Sequence, residues 1–510
     1  MSEGTIEHAD GRVELRAPEE LEHSPLYNED LAPVPVVKRT WTTWDYAALW
    51  ISMAHCIPTY TMASGLIGNG MSWWQALGTI LLGNLIVLAP ILLNSHPGTK
   101  YGIPFPVFAR AAYGTVGSNL PALMRALIAC GWFGINVWIG GLALQTFFTA
   151  IWPGWHDLLG TFHGFPWNDW PAKRAFPTTL WISFLLFWAV NILIIYKGME
   201  LVRRLERFAA PFVLVMTAVL VGWAVWKAGG LGPIIHSSGT LDTPSKFMAV
   251  FIPSLTATIG FWSTLSLNMP DFTRFGRSQR EQAVGQIYAL PSTMTVFAAM
   301  GIAITSATVI IYGHAVSDPI ELGGMFSNRL IVGVVMFTVV VATLAVNIAA
   351  NVVSPANDFA NAFPGKITFS RGGLITGVIG ILMMPWELYA DPGRYINGWL
   401  VGYSGSLGSV AGVLIVDYWV LRKTKLDLRS LYVSDGAYRY ANGWNMAAVW
   451  ATLAGAGVAL LGAFWEPMKP IYDWSWFVGF GLAGGLYWLL MRARIVHGEG
   501  AGNGPRAMER

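Results

Sequence analysis

Twelve apolar stretches, each long enough to cross a lipid bilayer as a helix, constrain this chain more than any other feature. A helix needs about 20 mostly apolar residues to span the hydrocarbon core. We number the stretches spans one to twelve, and they cover approximately residues 44–67, 73–94, 120–150, 178–196, 207–226, 247–269, 288–312, 329–354, 372–390, 396–419, 444–465 and 473–492. The pattern predicts an all-α membrane protein with twelve transmembrane helices.

The composition agrees with lipid as the main solvent of this protein. Of the 510 residues, 54% are hydrophobic and 12% are charged, whereas about a quarter of an ordinary globular protein is charged. The net charge of +3 is small and spread out, which gives no reason to expect nucleic acid as a partner. Cys56 and Cys130 lie inside apolar stretches, without the spacing of a disulfide or a zinc site. We expect no cofactor.

The distribution of Lys and Arg predicts which loops face the cytoplasm. The connections after spans four, six and ten are basic and include Arg203, Arg277 and Arg422. The connections on the other side hold few basic residues, namely Lys173, Arg174, Lys227, Lys246, Arg394 and Lys469. Both termini are therefore predicted to be cytoplasmic, in a multi-pass protein of the inner (plasma) membrane.

Polar segments divide the chain into four parts. Residues 1–40 lack the apolar core of a signal peptide and are predicted to form an N-terminal cytoplasmic tail. Residues 41–420 are predicted to form a ten-helix core, and residues 421–492 contain two additional C-terminal helices. Residues 493–510 are predicted to form a second cytoplasmic tail.

Spans one and six are interrupted at corresponding positions of two five-helix halves. Span one contains Pro58, and span six contains Gly260 and ends at Pro270. A proline frees a backbone carbonyl one turn earlier, which is tolerated at membrane depth only inside protein or beside a wet cavity. Each break alone is explained equally well by an ordinary kink, but matching breaks in two halves indicate a binding site near the midplane.

Several side chains near these breaks are suited to a flat heterocyclic ring. Trp132 and Asn136 lie four residues apart, on one face of span three. An indole stacks on a flat ring, and an amide offers a donor and an acceptor to the ring edge. Phe261 and Trp262 of span six and Asn351 of span eight are further candidates. The alternative is helix packing, because Asn often joins membrane helices and most of the 25 tryptophans must pack or anchor.

His55, beside the break in span one, is the main ionisable residue that we expect inside the spans. An ionisable residue within a membrane is a functional candidate by default, and the alternative is a neutral imidazole bonded to a freed carbonyl. Four other charged residues fall near span ends, where we expect them to be solvated or structural: Asp45, Arg125, Glu387 and Asp417.

Six ordered segments show a family resemblance over roughly residues 34–492. They are Ile57–Tyr60, Gly98–Val107, Asn119–Ala126, Trp132–Gly134, Leu267–Phe275 and Ala349–Ala356. At these segments the chain resembles the nucleobase:cation symporter family, first class, which includes allantoin, hydantoin, cytosine, uracil and uridine permeases. The resemblance implies a LeuT-like five-plus-five inverted repeat with two extra C-terminal helices, and alternating access.

The resemblance also implies roles for the substrate candidates. In the family, a Trp of span three and a Trp of span six sandwich the substrate ring, and these correspond to Trp132 and Trp262. A Gln one turn after the first Trp corresponds to Asn136, and the span-eight Asn corresponds to Asn351. An amide-bearing position of span one is Cys56 here. The sandwich is retained while the polar rim differs, so the resemblance implies a nucleobase-like, hydantoin-like or allantoin-like ring without selecting one.

The expected coupling ion follows from the same resemblance. In sodium-coupled members, carbonyls near the span-one break hold the cation, at positions that correspond to Ser52 and His55. An Ala carbonyl, a Ser and a Thr of span eight complete that site, and three positions correspond to them here: Ala342, Ala345 and Val346. Methyl groups offer no oxygen to a hard cation. We therefore expect proton-driven or uncoupled transport, with His55 as the titratable group.

The sequence supports the alternatives to a proton-coupled symporter to different degrees. An uncoupled facilitator or channel for the same solutes is compatible with the fold, and sodium coupling is a further alternative. A membrane-embedded enzyme finds no support, because the spans lack clustered metal ligands or a recognisable nucleophile–base pair. A receptor is disfavoured by the absence of a signalling domain.

Overall fold

The computed structural model describes residues 4–163, 175–230, 239–389 and 398–496. Each predicted span corresponds to a helix or a broken helix. In order, their bounds are Thr43–Ala54 with Ile57–Gly68, Trp73–Tyr101, Asn119–Ile151, Thr178–Ile195, Met199–Lys227, Pro244–Phe261 with Leu265–Asn268, Gln279–Tyr312, Arg329–Asn351, Phe369–Leu382, Val401–Ile415, Met446–Leu460 and Ser475–Val496.

Most of these helices meet the requirements for a membrane span individually. Among the described residues, eight are long and apolar enough to cross a bilayer, and two bent helix pairs bring the number to ten. The other two predicted spans are span one, which consists of two 12-residue halves, and span nine, which has 14 residues. Shorter helices and strands connect or extend the spans: Phe105–Tyr113, Pro270–Thr273, Pro319–Gly324, Val353–Ala362, Pro385–Leu388, Lys469–Asp473, and the paired strands Thr5–Glu7 with Val13–Leu15 and Thr161–Phe162 with Phe176–Pro177.

The predicted break in span one lies at His55 and Cys56. Because Pro58 has no backbone N–H, the carbonyl of Ala54 loses its usual helical partner. The hydroxyl of Thr59 donates to that carbonyl at 2.8 Å, and the backbone N–H of Cys56 donates to it at 3.1 Å. The freed carbonyl is thus satisfied within the protein, and the break becomes a fixed feature of the helix.

The predicted break in span six is also present. Its two helices, Pro244–Phe261 and Leu265–Thr273, meet at an angle of 42°. A Cβ atom on Gly260 would lie 2.7 Å from the carbonyl oxygen of Leu400. Glycine therefore allows span ten to pack directly against the break.

The packing places the two broken spans between other helices. Span one contacts spans five and seven, and span six contacts spans two and ten. Span three packs against spans four, eight and nine. The last three helices are tightly associated, since span twelve packs against both spans ten and eleven.

The N-terminal segment, predicted as a tail, is folded against the helices. Its strands Thr5–Glu7 and Val13–Leu15 pair as a hairpin, and its buried Leu21 and Leu31 pack in the hydrophobic core. Arg39 is 2% exposed and donates to the carbonyl oxygens of Val34 and Thr99 at 2.8 and 3.0 Å. Burial lowers the pKa of Arg39 to about 10. At the other end, residues 497–510 lie outside the described residues, as do Lys173, Arg174 and Arg394.

Three of the charged residues expected near span ends are buried, so the expectation that they are solvated is wrong. Asp45, Arg125 and Asp417 are 3%, 0% and 1% exposed. Asp45 accepts hydrogen bonds from Arg203 at 2.8 Å, and Asp417 accepts from Arg422 at 2.6 Å. The structural alternative is confirmed for both carboxylates, because a buried charge is stable only with such partners. Glu387 is half-buried.

Candidate functional site

A cavity with an empty volume of about 340 Å³ lies where the two breaks face spans three and eight. All six predicted substrate-binding residues line it. The complete lining is Met53, Cys56, Pro58, Trp132, Asn136, Phe261, Trp262, Thr264, Leu265, Val346, Ala350 and Asn351. Since residues from four separate spans meet here, the structure brings together what the sequence distributes over some 300 positions.

We call this the aromatic cavity, because aromatic rings form its wall. Phe261 contacts Trp132 edge-on, with the ring centroids 5.4 Å apart, and contacts Trp262 at 4.9 Å. Trp50 packs edge-on against Trp262 at 5.2 Å. Phe261 therefore lies against both indoles. A substrate ring held between Trp132 and Trp262 would have to displace the Phe261 side chain.

Trp132 is held by a residue that sequence reasoning missed. The indole N–H of Trp132 donates to the Tyr403 hydroxyl at 3.2 Å, and that hydroxyl donates to the Gly260 carbonyl at 2.9 Å. Tyr403 belongs to span ten and thus connects span three with the break in span six. A Tyr inside an apolar span needs a hydroxyl partner, which is the only local signal that could have drawn attention to it.

A chain of amides orients Asn351. Its Nδ2 donates to Asn347 Oδ1 at 3.1 Å, and Asn347 Nδ2 donates to Asn191 Oδ1 at 3.0 Å. Asn191, in span four, donates in turn to the carbonyl of Phe187 at 2.8 Å. The bond to Asn347 engages one N–H of the Asn351 amide and orients the group, and its Oδ1 acceptor remains for the cavity. Asn191 was missed, whereas the four-residue spacing of Asn347 and Asn351 places both on one helical face.

Asn136 offers a second acceptor. Its Nδ2 donates to the Trp132 carbonyl at 3.0 Å. Its Oδ1 is buried and has no hydrogen-bond partner among the described residues. An unsatisfied buried acceptor costs about 1–3 kcal/mol, so an N–H group entering the cavity would be stabilised there. Cys56 is turned towards its own helix, with its sulfur 3.2 Å from the Thr59 hydroxyl.

The five cation-site positions do not share one cavity. Val346 lines the aromatic cavity, while His55 and Ala342 line a second cavity with an empty volume of about 690 Å³ between spans one, five, seven and eight. Ala342, Ala345 and Val346 are at most 4% exposed and present only aliphatic side chains. The hydroxyl of Ser52 donates to the Glu206 carbonyl at 3.2 Å. These side chains supply no set of oxygens around a cation.

His55 has hydroxyl partners rather than a freed carbonyl. Its Nε2 lies 3.1 Å from the Tyr60 hydroxyl and also hydrogen-bonds the Thr217 hydroxyl. Its Nδ1 is buried without a partner in the described part of the chain, and the ring packs edge-on against Phe297 at 4.7 Å. The imidazole therefore sits in a mostly apolar shell at one end of the second cavity.

Glu206 overturns the expectation that His55 is nearly alone as an ionisable group inside the spans. Span five was predicted to begin at residue 207, but its helix begins at Met199, which places Glu206 within it at 3% exposure. The three arginines of the first helical turns made this segment resemble a loop. Hydropathy alone therefore began the span too late to include the carboxylate.

Comparison with known proteins identifies the family. A family model described as permeases for cytosine and purines, uracil, thiamine and allantoin matches residues 33–479. The chain belongs to this family. The allantoin permease of Bacillus subtilis is 41% identical over 467 residues, which cover 92% of this permease and 93% of that relative. The purine-uracil permease NCS1 of Arabidopsis thaliana is 39% identical over 478 residues, which cover 91% of this permease and 78% of the relative.

A solved structure establishes the fold class. The permease matches Mhp1, a nucleobase-cation-symport-1 family transporter in a closed conformation with bromovinylhydantoin bound, with a TM-score of 0.76 and 23% identity. The match covers 92% of this permease and 96% of that chain. The predicted LeuT-like five-plus-five inverted repeat with two additional C-terminal helices is confirmed. The protein is a multi-pass membrane transporter, and its relatives are permeases rather than enzymes.

Proposed function

We propose that this permease imports a planar ring with amide or urea N–H groups across the inner membrane by alternating access. One observation carries the proposal. Two indoles and the acceptor oxygens of Asn136 and Asn351 belong to one buried cavity at the helix breaks. Flat faces stack on the indoles, and ring N–H groups donate to the two oxygens.

The chemistry of the rim favours allantoin, hydantoins and uracil-like rings. Each of these rings carries N–H donors beside carbonyl groups, which complements free acceptors on Asn136 and Asn351. The names of the relatives, an allantoin permease and a purine-uracil permease, support the same class. The proposed substrate-binding residues are Cys56, Trp132, Asn136, Phe261, Trp262 and Asn351.

The proposed orientation places both termini in the cytoplasm. The basic connections lie on the same side as the N-terminal segment, in agreement with the positive-inside rule. Within this topology, residues 41–420 form the proposed transport core, and residues 421–492 form the appended helical pair.

A competition screen tests the substrate class. Purified permease in proteoliposomes would be offered labelled allantoin in the presence of hydantoins, uracil, cytosine, purines or nucleosides. We expect competition by rings with adjacent N–H and carbonyl groups. Competition by none of these compounds, in a preparation that remains folded, would contradict the proposed function.

Asn136→Gln is expected to change the order of preference among substrates. The longer side chain moves the acceptor oxygen by one methylene, so rings whose N–H groups lie at different positions gain or lose a hydrogen bond of about 0.5–1.5 kcal/mol. Competition constants for the whole panel measure this change. A uniform loss for all substrates would instead indicate that Asn136 only joins helices.

Sodium replacement should leave uptake unchanged, and collapse of the proton gradient should abolish uphill uptake. The reason is that Ala342, Ala345 and Val346 offer no side-chain oxygen, whereas His55 can exchange a proton. Uptake would be measured at fixed pH with sodium or choline, and then with a protonophore. Strong stimulation by sodium contradicts proton coupling, and a lack of any uphill accumulation favours the uncoupled facilitator.

A further inference from the structure

A carboxylate without a charged partner lies inside the helix of span five. Glu206 is 3% exposed, and both of its carboxylate oxygens are buried without an ion pair among the described residues, with the Ser52 hydroxyl as a neutral neighbour. Isolated carboxylates are costly in the membrane interior, because neither water nor a counter-charge compensates for the lost hydration. A residue in this state has to be neutralised by a positive charge that the described part of the chain does not supply.

The nearby basic side chains are already engaged by another carboxylate. On the same helix, Arg203 and Arg207 donate to Asp45 at 2.8 and 2.6 Å. Asp45 also caps span one, where it accepts from Thr42. The two arginines therefore neutralise Asp45, and neither of them pairs with Glu206.

The other elements packed against span five do not supply a positive charge either. Spans four and eight carry no titratable side chain over residues 178–195 and 330–351. Span seven contributes Glu281, which pairs with Arg277 just before that helix, and Arg280, which is exposed. Span one contributes His55, which hydrogen-bonds Tyr60 and Thr217 rather than the carboxylate.

Glu206 is connected to the substrate cavity through span one. The Ser52 hydroxyl donates to the Glu206 backbone carbonyl at 3.2 Å. The next residue, Met53, lines the aromatic cavity, and the helix breaks two residues later. A displacement of this half-helix relative to span five would change the environment of Glu206 and of the substrate together.

We propose that Glu206 binds the positive charge that is transported together with the ring. The carboxylate takes up one cation from one side of the membrane and releases it on the other, so that no net chemical change occurs in the protein. This inference rests on the proposed ion-coupled function, under which the cation is a proton. A monovalent metal ion has the same charge, and the experiment distinguishes the two sources.

Glu206→Gln tests the proposal, because it imitates the neutralised side chain. We expect uphill accumulation of the substrate to fall at least tenfold, while substrate-for-substrate exchange across the membrane stays within about twofold of the wild type, since exchange requires no net movement of the ion. The control is Glu200→Gln on the same helix, whose side chain is 59% exposed. This control should accumulate substrate like the wild type.

Outcomes of this experiment separate the two proposals. Proton-driven accumulation in the wild type that is lost in Glu206→Gln supports both. Sodium-driven accumulation that is lost in Glu206→Gln supports the role of Glu206 and contradicts proton coupling. Undiminished accumulation in Glu206→Gln, or an equal loss of accumulation and exchange in a folded variant, overturns the role of Glu206.

A second variant covers the case in which Glu206→Gln does not fold. Glu206→Asp keeps the charge and withdraws the carboxylate by one methylene. We expect coupled accumulation with a several-fold change in the ion concentration that gives half-maximal uptake. An unchanged ion dependence would also overturn the proposal.

Discussion

Alanine at Trp132 or Trp262 should weaken substrate binding at least several-fold while the protein remains folded. Stacking of a heterocyclic ring on an aromatic side chain contributes about 1–3 kcal/mol, and each indole lies in the wall of the aromatic cavity. A loss of 1.4 kcal/mol corresponds to about tenfold in affinity. Binding of the best competitor from the uptake screen to purified protein measures the effect directly.

A tryptophan outside the cavity provides the control for these variants. Trp226, at the end of span five, is 73% exposed, and Trp226→Ala should leave affinity unchanged. Near-normal affinity in both Trp132→Ala and Trp262→Ala would show that neither indole stacks on the ring. Thermal unfolding of the same preparations separates a loss of binding from a loss of folded protein.

Asp417→Ala should destabilise the permease by about 3–5 kcal/mol, the cost of leaving a buried charge without its partner. The Asp417 side chain is 2% exposed, and it accepts from Arg422 at 2.6 Å and from the Tyr487 hydroxyl at 2.7 Å. Its ion pair with Arg422 holds the pKa of the guanidinium well above its ordinary value. The midpoint of thermal unfolding in detergent measures the destabilisation.

An exposed ion pair gives the matched control for Asp417. Asp242 and Lys246 lie 2.9 Å apart, with side chains 68% and 60% exposed. Solvated pairs of this kind contribute about 0–1 kcal/mol, so Asp242→Ala should barely move the unfolding midpoint. Equal midpoints for both variants would contradict the structural role assigned to Asp417.

The helices and their breaks were accessible from sequence because their causes are local. Lipid requires about 20 apolar residues for each crossing, and this requirement is visible wherever it occurs in the chain. Pro58 lacks a backbone donor in any context, so its break is present as predicted. Span five differs, because a buried carboxylate and several arginines lie inside its helix and lower the hydropathy of its first turns.

The candidate site was predictable in its members but not in its arrangement. Trp132, Asn136, Trp262 and Asn351, which the family resemblance implied, line one cavity together with the further candidate Phe261. No local pattern indicated that Phe261 would lie against both indoles. Nor did any indicate that the donor of Asn351 would be engaged, since that follows from an amide chain that crosses to another span.

By itself, the sequence determined the membrane class, the number of spans, the two breaks and the family, because each depends on apolar length, proline or ordered motifs. Only the tertiary structure decided which polar groups are satisfied and which are not. Tyr403 reaches Trp132 across 271 positions, and Arg203 reaches Asp45 across 158. Such partners are set by the packing of distant helices, and it is the same packing that leaves Glu206 without a counter-ion among the residues that the structure describes.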